Sequence, residues 1–204
     1  MSSSTKNQLL KFAFFLLFAL GPNTTQAQEH EEPKKPFKRH AINFCPAGMA
    51  FGIFSANYEY LITPKNGIVV RLDYEAIPKT YTAATIESNG KAFILNYRRH
   101  FSGEMNSFYA GAYTRYRLYK GEGEINAQKF DFKIPEVTIG LNIGKRWVWK
   151  NGFNLNLAFG YGISFKDKKT SLNNMAINTA VDSWEDSYDF INPFLGEFSI
   201  GYSF

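Results

Sequence analysis

The stretch Phe194–Phe204, FLGEFSIGYSF, alternates with period 2 from end to end. Successive side chains of an extended chain point to opposite sides. Phe194, Gly196, Phe198, Ile200, Tyr202 and Phe204 therefore share one face, and Leu195, Glu197, Ser199, Gly201 and Ser203 share the other. A soluble strand with so aromatic a face hides it in a core. The strands upstream decide whether such a core exists.

Working back, the same period recurs. Phe153–Phe165 sets Phe153, Leu155, Leu157, Phe159, Tyr161, Ile163 and Phe165 against Asn154, Asn156, Ala158, Gly160, Gly162 and Ser164. Val137, Ile139, Leu141, Ile143, Trp147 and Trp149 oppose Glu136, Thr138, Asn142 and Arg146. Ser107–Tyr119 sets Phe108, Ala110, Ala112, Tyr116 and Leu118 against Tyr109, Tyr113, Arg115 and Arg117. Ala92–Phe101 sets Phe93, Leu95, Tyr97 and Phe101 against Asn96, Arg98 and His100. Ile68–Ile77 opposes Arg71, Asp73 and Glu75 to an apolar face, and Phe51–Thr63 does the same with Ser55, Asn57 and Glu59. The polar faces are charged, so the apolar faces read as facing lipid. A strand of 13 residues, at about 3.3 Å per residue and a tilt near 45°, rises about 30 Å, the thickness of a hydrocarbon core. Soluble strands average about 5–6 residues.

Connections alternate in length. Short ones are Pro64–Gly67, Ser102–Asn106 and Lys150–Gly152; long ones are Pro78–Lys91, Gly121–Pro135 and Lys166–Asn192. Transmembrane barrels put short turns in the periplasm and long loops outside. Counting back, an ascending strand must precede Phe51–Thr63, and Ala41–Cys45 with a turn at Pro46-Ala47-Gly48 is the segment available. The total is eight. The expected fold is all-β, an eight-stranded antiparallel up-and-down transmembrane β-barrel over residues 41–204. Glu124–Lys133 alternates in part and is expected to extend its hairpin beyond the membrane.

Residues 1–27 read as a secretory signal peptide: Lys6 and Lys11, the apolar run Phe12–Leu20, a break at Gly21-Pro22, and small residues before a cut between Ala27 and Gln28. The apolar run is far short of the roughly 20 residues of a membrane helix. Residues 28–40 (QEHEEPKKPFKRH) read as a solvated periplasmic linker, although its Lys34, Lys35, Lys38 and Arg39 also suit anionic lipid or cell wall. Export and a barrel together imply the outer membrane of a Gram-negative cell. Cys45, the one cysteine, lies too far beyond Leu20 for lipid attachment and reads as a small packed side chain. The formal net charge of +5 is scattered and includes two signal-peptide lysines, so no nucleic-acid footprint is expected. Aromatic content of 17% suits a barrel with interfacial rings, here Trp147, Trp149, Phe101, Phe153 and Phe204 near the short turns.

An aromatic residue closing an alternating strand, Phe204 with Tyr202 before it, resembles the signal that outer-membrane barrels present to their assembly machinery. The chain as a whole resembles the small OmpA/OmpX-type barrels, and more closely an uncharacterised family of short outer-membrane barrels common in Bacteroidota. The residues that carry this are Asn43–Tyr60 (NFCPAGMAFGIFSANYEY), Phe108–Tyr119 (FYAGAYTRYRLY), Ile139–Gly162 (IGLNIGKRWVWKNGFNLNLAFGYG) and Phe198–Phe204 (FSIGYSF). The resemblance implies outer-membrane lipid and the barrel-assembly machinery as partners. It implies no activity, so no catalytic residue comes with it.

The polar faces collect five acids, Glu59, Asp73, Glu75, Glu136 and Glu197, and five arginines, Arg71, Arg98, Arg115, Arg117 and Arg146. An eight-stranded barrel has an interior just wide enough for its side chains. Equal numbers of opposite charges predict a mutually paired plug and a closed lumen. The alternatives are a small gated pore built from the same pairs, a soluble lipocalin-like carrier with its faces inverted, and a lipid A-modifying enzyme. The last needs a nucleophile set at the outer rim, yet of His30, His40 and His100 the first two lie in or beside the tail and the third at the periplasmic end of its strand. No cofactor or metal ligand spacing is present, and Gly140–Gly144 reads as barrel packing. The loop 166–192, with Met175, Ile177, Val181, Trp184, Tyr188 and Phe190, is either a surface loop or the candidate site for an extracellular partner. The expectation is a non-enzymatic outer-membrane protein with a structural or surface-interaction role.

Overall fold

The computed structural model describes residues 37–77, 86–125, 127–172, 174–186 and 193–204. The expected signal peptide, its cleavage site at Ala27 and Gln28, and the linker up to residue 36 lie outside the described residues.

The strands are β1 (His40–Phe44), β2 (Ile53–Thr63), β3 (Asn66–Ile77), β4 (Glu87–His100), β5 (Phe108–Ile125), β6 (Gln128–Val148), β7 (Phe153–Lys166), the two-residue β8 (Lys169–Thr170) and β9 (Phe194–Ser203). Each of β1 to β6 is antiparallel to the next, and β9 pairs with both β7 and β1. Eight strands thus form a ring, with β8 a short appendage on β6. Closure gives most backbone donors and acceptors of the ring a neighbouring strand, the exception being the outer part of β9, which β1 is too short to reach. Gly152 makes the turn into β7 in a left-handed conformation, φ 95°, which glycine adopts at no steric cost.

The expected faces hold on every strand. Ser55, Asn57, Glu59, Arg71, Asp73, Arg98 and His100 are buried toward the axis, while Phe54, Tyr58, Leu72, Tyr74, Phe93 and Leu95 are exposed. The bounds differ in places. Residues 37–39 are not free linker: Arg39 and His40 donate their N–H groups to the Phe204 carbonyl at 3.1 and 2.9 Å, and Phe37 packs on buried Ala41, Leu61 and Met105. The expected turn at Pro46-Ala47-Gly48 is one helical turn, α1 (Pro46–Met49). Of the connection expected at 78–91, residues 78–85 lie outside the described residues and Glu87–Lys91 belong to β4; that at 121–135 is mostly strand, with β5 and β6 paired out to Ile125 and Gln128, so the hairpin extends as its alternation implied.

The stretch 166–192 departs most from its reading as a loop. It contains β8 and a helix, α2 (Met175–Asp186), whose Ile177, Val181 and Trp184 are buried. They pack on Ile77, Ile86, Tyr119, Phe130, Phe132 and Ile134 at the long-loop end of the ring. That end is an apolar cap. The spacing i, i+4, i+7 is the signature of one helical face, so the helix was legible in the residues.

The sheet inverts its polarity where the cap begins. On β6 the inward residues are Phe130, Phe132 and Ile134 above Pro135, and Glu136, Thr138, Asn142 and Arg146 below it. The outward residues invert in step: Lys129, Asp131 and Lys133 above, and Val137, Ile139, Leu141 and Ile143 below. On β5 the outward row changes from Tyr116 and Leu118 to Lys120, Glu122 and Glu124. Pro135 sits just above Glu136–Lys166, where the pairing of β6 with β7 ends, a sheet-edge position that proline tolerates.

Candidate functional site: the ion-paired lumen

All ten charged residues expected inside are buried in the ring. They fall into three groups stacked along the axis. The lowest centres on Glu59 of β2. Its Oε2 accepts from Arg98 Nη1 at 2.9 Å and lies 2.7 Å from Arg146 Nη2, and its Oε1 lies 2.7 Å from His100 Nε2. Arg98 also donates Nη2 to Glu197 at 2.6 Å, and its guanidinium lies 4.5 Å from the centre of the Tyr109 ring. The Glu197 carboxylate accepts from Asn156 at 2.7 Å, Ser199 at 2.9 Å and Asn57 at 3.0 Å. One connected network therefore ties β2, β4, β6, β7 and β9 across the lumen.

The middle group is smaller. Arg71 Nε donates to Asp73 Oδ1 at 2.7 Å, and the Ser55 hydroxyl donates to the same oxygen. The upper group joins β3, β5 and β6. Arg117 pairs with Glu75 at 2.9 Å and with Glu136 at 3.6 Å, Arg115 pairs with Glu136 at 3.2 Å, and the Tyr119 hydroxyl donates to Glu75 at 3.1 Å. Tyr119 then meets Trp184 of α2 edge-on at 5.4 Å. The ionic column ends where the apolar cap starts.

Burial explains why pairing is so complete. An isolated ion in such a space costs several kcal/mol, and removal of one partner strands the other. Arginine suits the role because its planar fork bonds two acceptors at once, as Arg98 does between Glu59 and Glu197. The glycines noted in Gly140–Gly144 make room for aromatic rings in the lumen. A Cβ at Gly140 would stand 2.7 Å from the Tyr113 ring, closer than atoms pack.

Sequence reasoning identified the charged set but not its partition. Which Arg meets which carboxylate depends on the stagger of strands around the ring, which no single strand records. It placed Tyr109, Asn57 and Asn156 on the inward faces without giving them partners, and it missed Tyr119, whose inward parity was the available signal. Of the expected girdle, Phe101, Trp147, Trp149, Phe153 and Phe204 are all exposed, and Lys145 lies 4.8 Å from the Phe108 ring centre and 6.0 Å from that of Trp147. Phe204 stacks on His40 at 5.3 Å between ring centres. His40 is a β1 residue and not part of the tail, and its Nδ1 lies 2.6 Å from the Tyr58 hydroxyl. Among the described residues no cluster of His, Cys, Asp and Glu has the arrangement of a metal site.

Fold and lumen together define a class: a small antiparallel β-barrel with an apolar outer wall and buried Arg/Glu pairs inside. The chain belongs to the family described as protein of unknown function DUF3575, whose model matches residues 13–198. Two solved structures are similar to it. One is Acinetobacter baumannii CarO2, at 13% identity over 82% of this chain and 98% of that one, with a TM-score of 0.42. The other is Acinetobacter baumannii CarO, at 11% identity over 83% and 97%, with a TM-score of 0.38. No curated protein matches the chain significantly.

Proposed function

We propose that this protein is an integral outer-membrane barrel whose role is structural or surface-interactive, without catalysis, and whose lumen stays closed. The observation that carries the reading is the reversal of polarity along β5 and β6. Only a band of the outer wall is apolar. From Val137 to Trp147, at about 3.3 Å per residue and a tilt near 45°, it is roughly 23 Å tall, close to the apolar band of about 25 Å on known outer-membrane barrels. Above it the outer wall turns to Lys and Asp while the inside turns apolar, as a protein leaving lipid for water requires.

The closed lumen is supported by three stacked ion-pair groups beneath an apolar cap. Non-catalytic character is supported by His100, whose imidazole is engaged by Glu59 deep in the lumen. Surface interaction rests on α2, which keeps its outer face, including Met175, in solvent. Membrane fractionation with heat-modifiable gel migration tests the placement; a freely soluble, heat-insensitive monomer overturns it. Planar-bilayer recording tests the lumen, and a large stable conductance from the monomer overturns closure. Deletion of Phe204, whose backbone holds Arg39 and His40, is expected to impair assembly, read as loss of the heat-modifiable form; unchanged assembly removes Phe204 as a signal.

A further inference from the structure

The wall of the barrel is incomplete on its outer half. β1 ends at Phe44, opposite Ile200, so it pairs with β9 over only four residues. Above Ile200, β9 has β7 on one edge and, among the described residues, no strand on the other. α1 crosses the gap instead, a single turn with no buried side chain. The Phe204 carbonyl points toward β1, where it accepts from His40. Carbonyls at every second residue share that direction, so those of Gly196 and Phe194 point into the gap.

Two lumen arginines reach these carbonyls. Arg71 Nη1 donates to Gly196 at 3.0 Å, and Arg115 Nη1 donates across the barrel to Phe194 at 3.1 Å. A cavity of about 450 Å³ lies there, lined by inward-facing Arg71, Arg115 and Leu195 and also by outward-facing Phe159, Phe194 and Phe198. Side chains of opposite parity share a cavity only where the wall between them is breached. The volume lies within the range of small-molecule sites, about 300–1,000 Å³.

We propose that this breach is a lateral binding site for a single-chain anionic amphiphile taken from the surrounding membrane leaflet. The acyl chain lies along Phe194 and Phe198, and the anionic head takes the place of the Gly196 and Phe194 carbonyls on Arg71 and Arg115. The exchange favours an anion because hydrogen bonds to an ionised acceptor are about twice as strong as those to a neutral one. Asp73 keeps hold of Arg71 from within, at 2.7 Å, so the guanidinium stays aimed while its outer partner changes. The site rests on the membrane placement proposed above.

Cys45, the one cysteine, lines the same cavity and reports on access. The full barrel in phosphatidylcholine vesicles is treated with a lipid-soluble maleimide or a sulfonated, water-soluble one, with dodecanoate or dodecanol as competitor. The lipid-soluble reagent is expected to alkylate Cys45 and the sulfonated one to leave it intact. Dodecanoate is expected to protect at roughly tenfold lower concentration than dodecanol, the worth of one charged over one neutral acceptor. Gly196→Trp, at a position where a Cβ meets nothing within 4 Å, is expected to slow alkylation without any competitor, and Arg71→Gln to erase the preference for dodecanoate. In vesicles whose protein floats and shifts on heating, no alkylation, equal reaction with both reagents, or equal protection by both competitors overturns the lateral site and leaves the membrane reading standing. Protein that stays in the aqueous phase overturns both.

Discussion

On β6, Phe130, Phe132 and Ile134 point to the same side as Glu136, Thr138, Asn142 and Arg146, yet the first three are apolar and the rest polar. One strand therefore fills its inner side in two ways. Under α2 the outside is water, and burying rings such as Trp184 and Phe132 stabilises the cap by roughly 25 cal/mol per Å² of apolar surface removed from it. Below Pro135 the outer wall is apolar, and on the membrane placement proposed above it faces lipid, where burial brings no such return. There the inside is held by specific pairs, Arg98 with Glu59 and Glu197, Arg117 with Glu75. The two halves differ in what breaks them: the cap depends on buried area, the column below on matched partners.

The strongest test of that contrast is Glu59→Leu. It strands Arg146 and His100 and leaves Arg98 with Glu197 alone, so its cost is expected at about 5 kcal/mol, the upper end for breaking a buried pair. The midpoint of urea-induced loss of the heat-modifiable form measures it; a shift under a quarter of that size breaks the distinction. Next, Trp184→Ala is expected to cost about 3 kcal/mol, the low end for a buried aromatic, but within the cap alone. Protease cleavage in α2 should rise while the urea midpoint of the barrel holds, and a common shift of both would join the halves into one unit. Smaller again, Ile139→Arg on the outer wall is expected to cost about 2–3 kcal/mol, as a charge near the bilayer midplane does. Lys133→Leu, above the boundary, should leave the midpoint nearly unchanged, and equal costs for the two would erase the boundary at Pro135. Smallest, Lys145→Ala is expected to cost about 0.5 kcal/mol through loss of its place over Phe108, readable as a small midpoint shift.

The faces of the strands were legible because a period of 2 repeats over ten or more residues and leaves no other register. The first strand was legible only by parity, from the need for an ascending crossing before Phe51–Thr63; its five residues gave little pattern of their own. The cap was missed for a different reason. Ile177, Val181 and Trp184 carry helical spacing, but they sit in a stretch whose length alone marked it as a loop. Phe130, Phe132 and Ile134 alternate with charged Lys129, Asp131 and Lys133, which fits a hairpin beyond the membrane, but nothing local says that a helix covers their apolar face. The ten charges were found as a set, since inward parity suffices, while their three groups follow from the stagger of the ring. The gap above Phe44 was implicit in the shortness of β1, but its consequence needs the opposite strand, β9, in place.

The clasp between β1 and β9 has a temporal meaning. It joins the first and last strands of the ring, so no cylinder exists until the whole run from β1 to β9 has been made. Until β9 is available, seven ribbons form at best an open sheet with two raw borders, a form that sticks to its own kind. A chain built this way has to be chaperoned in transit and fastened at its destination.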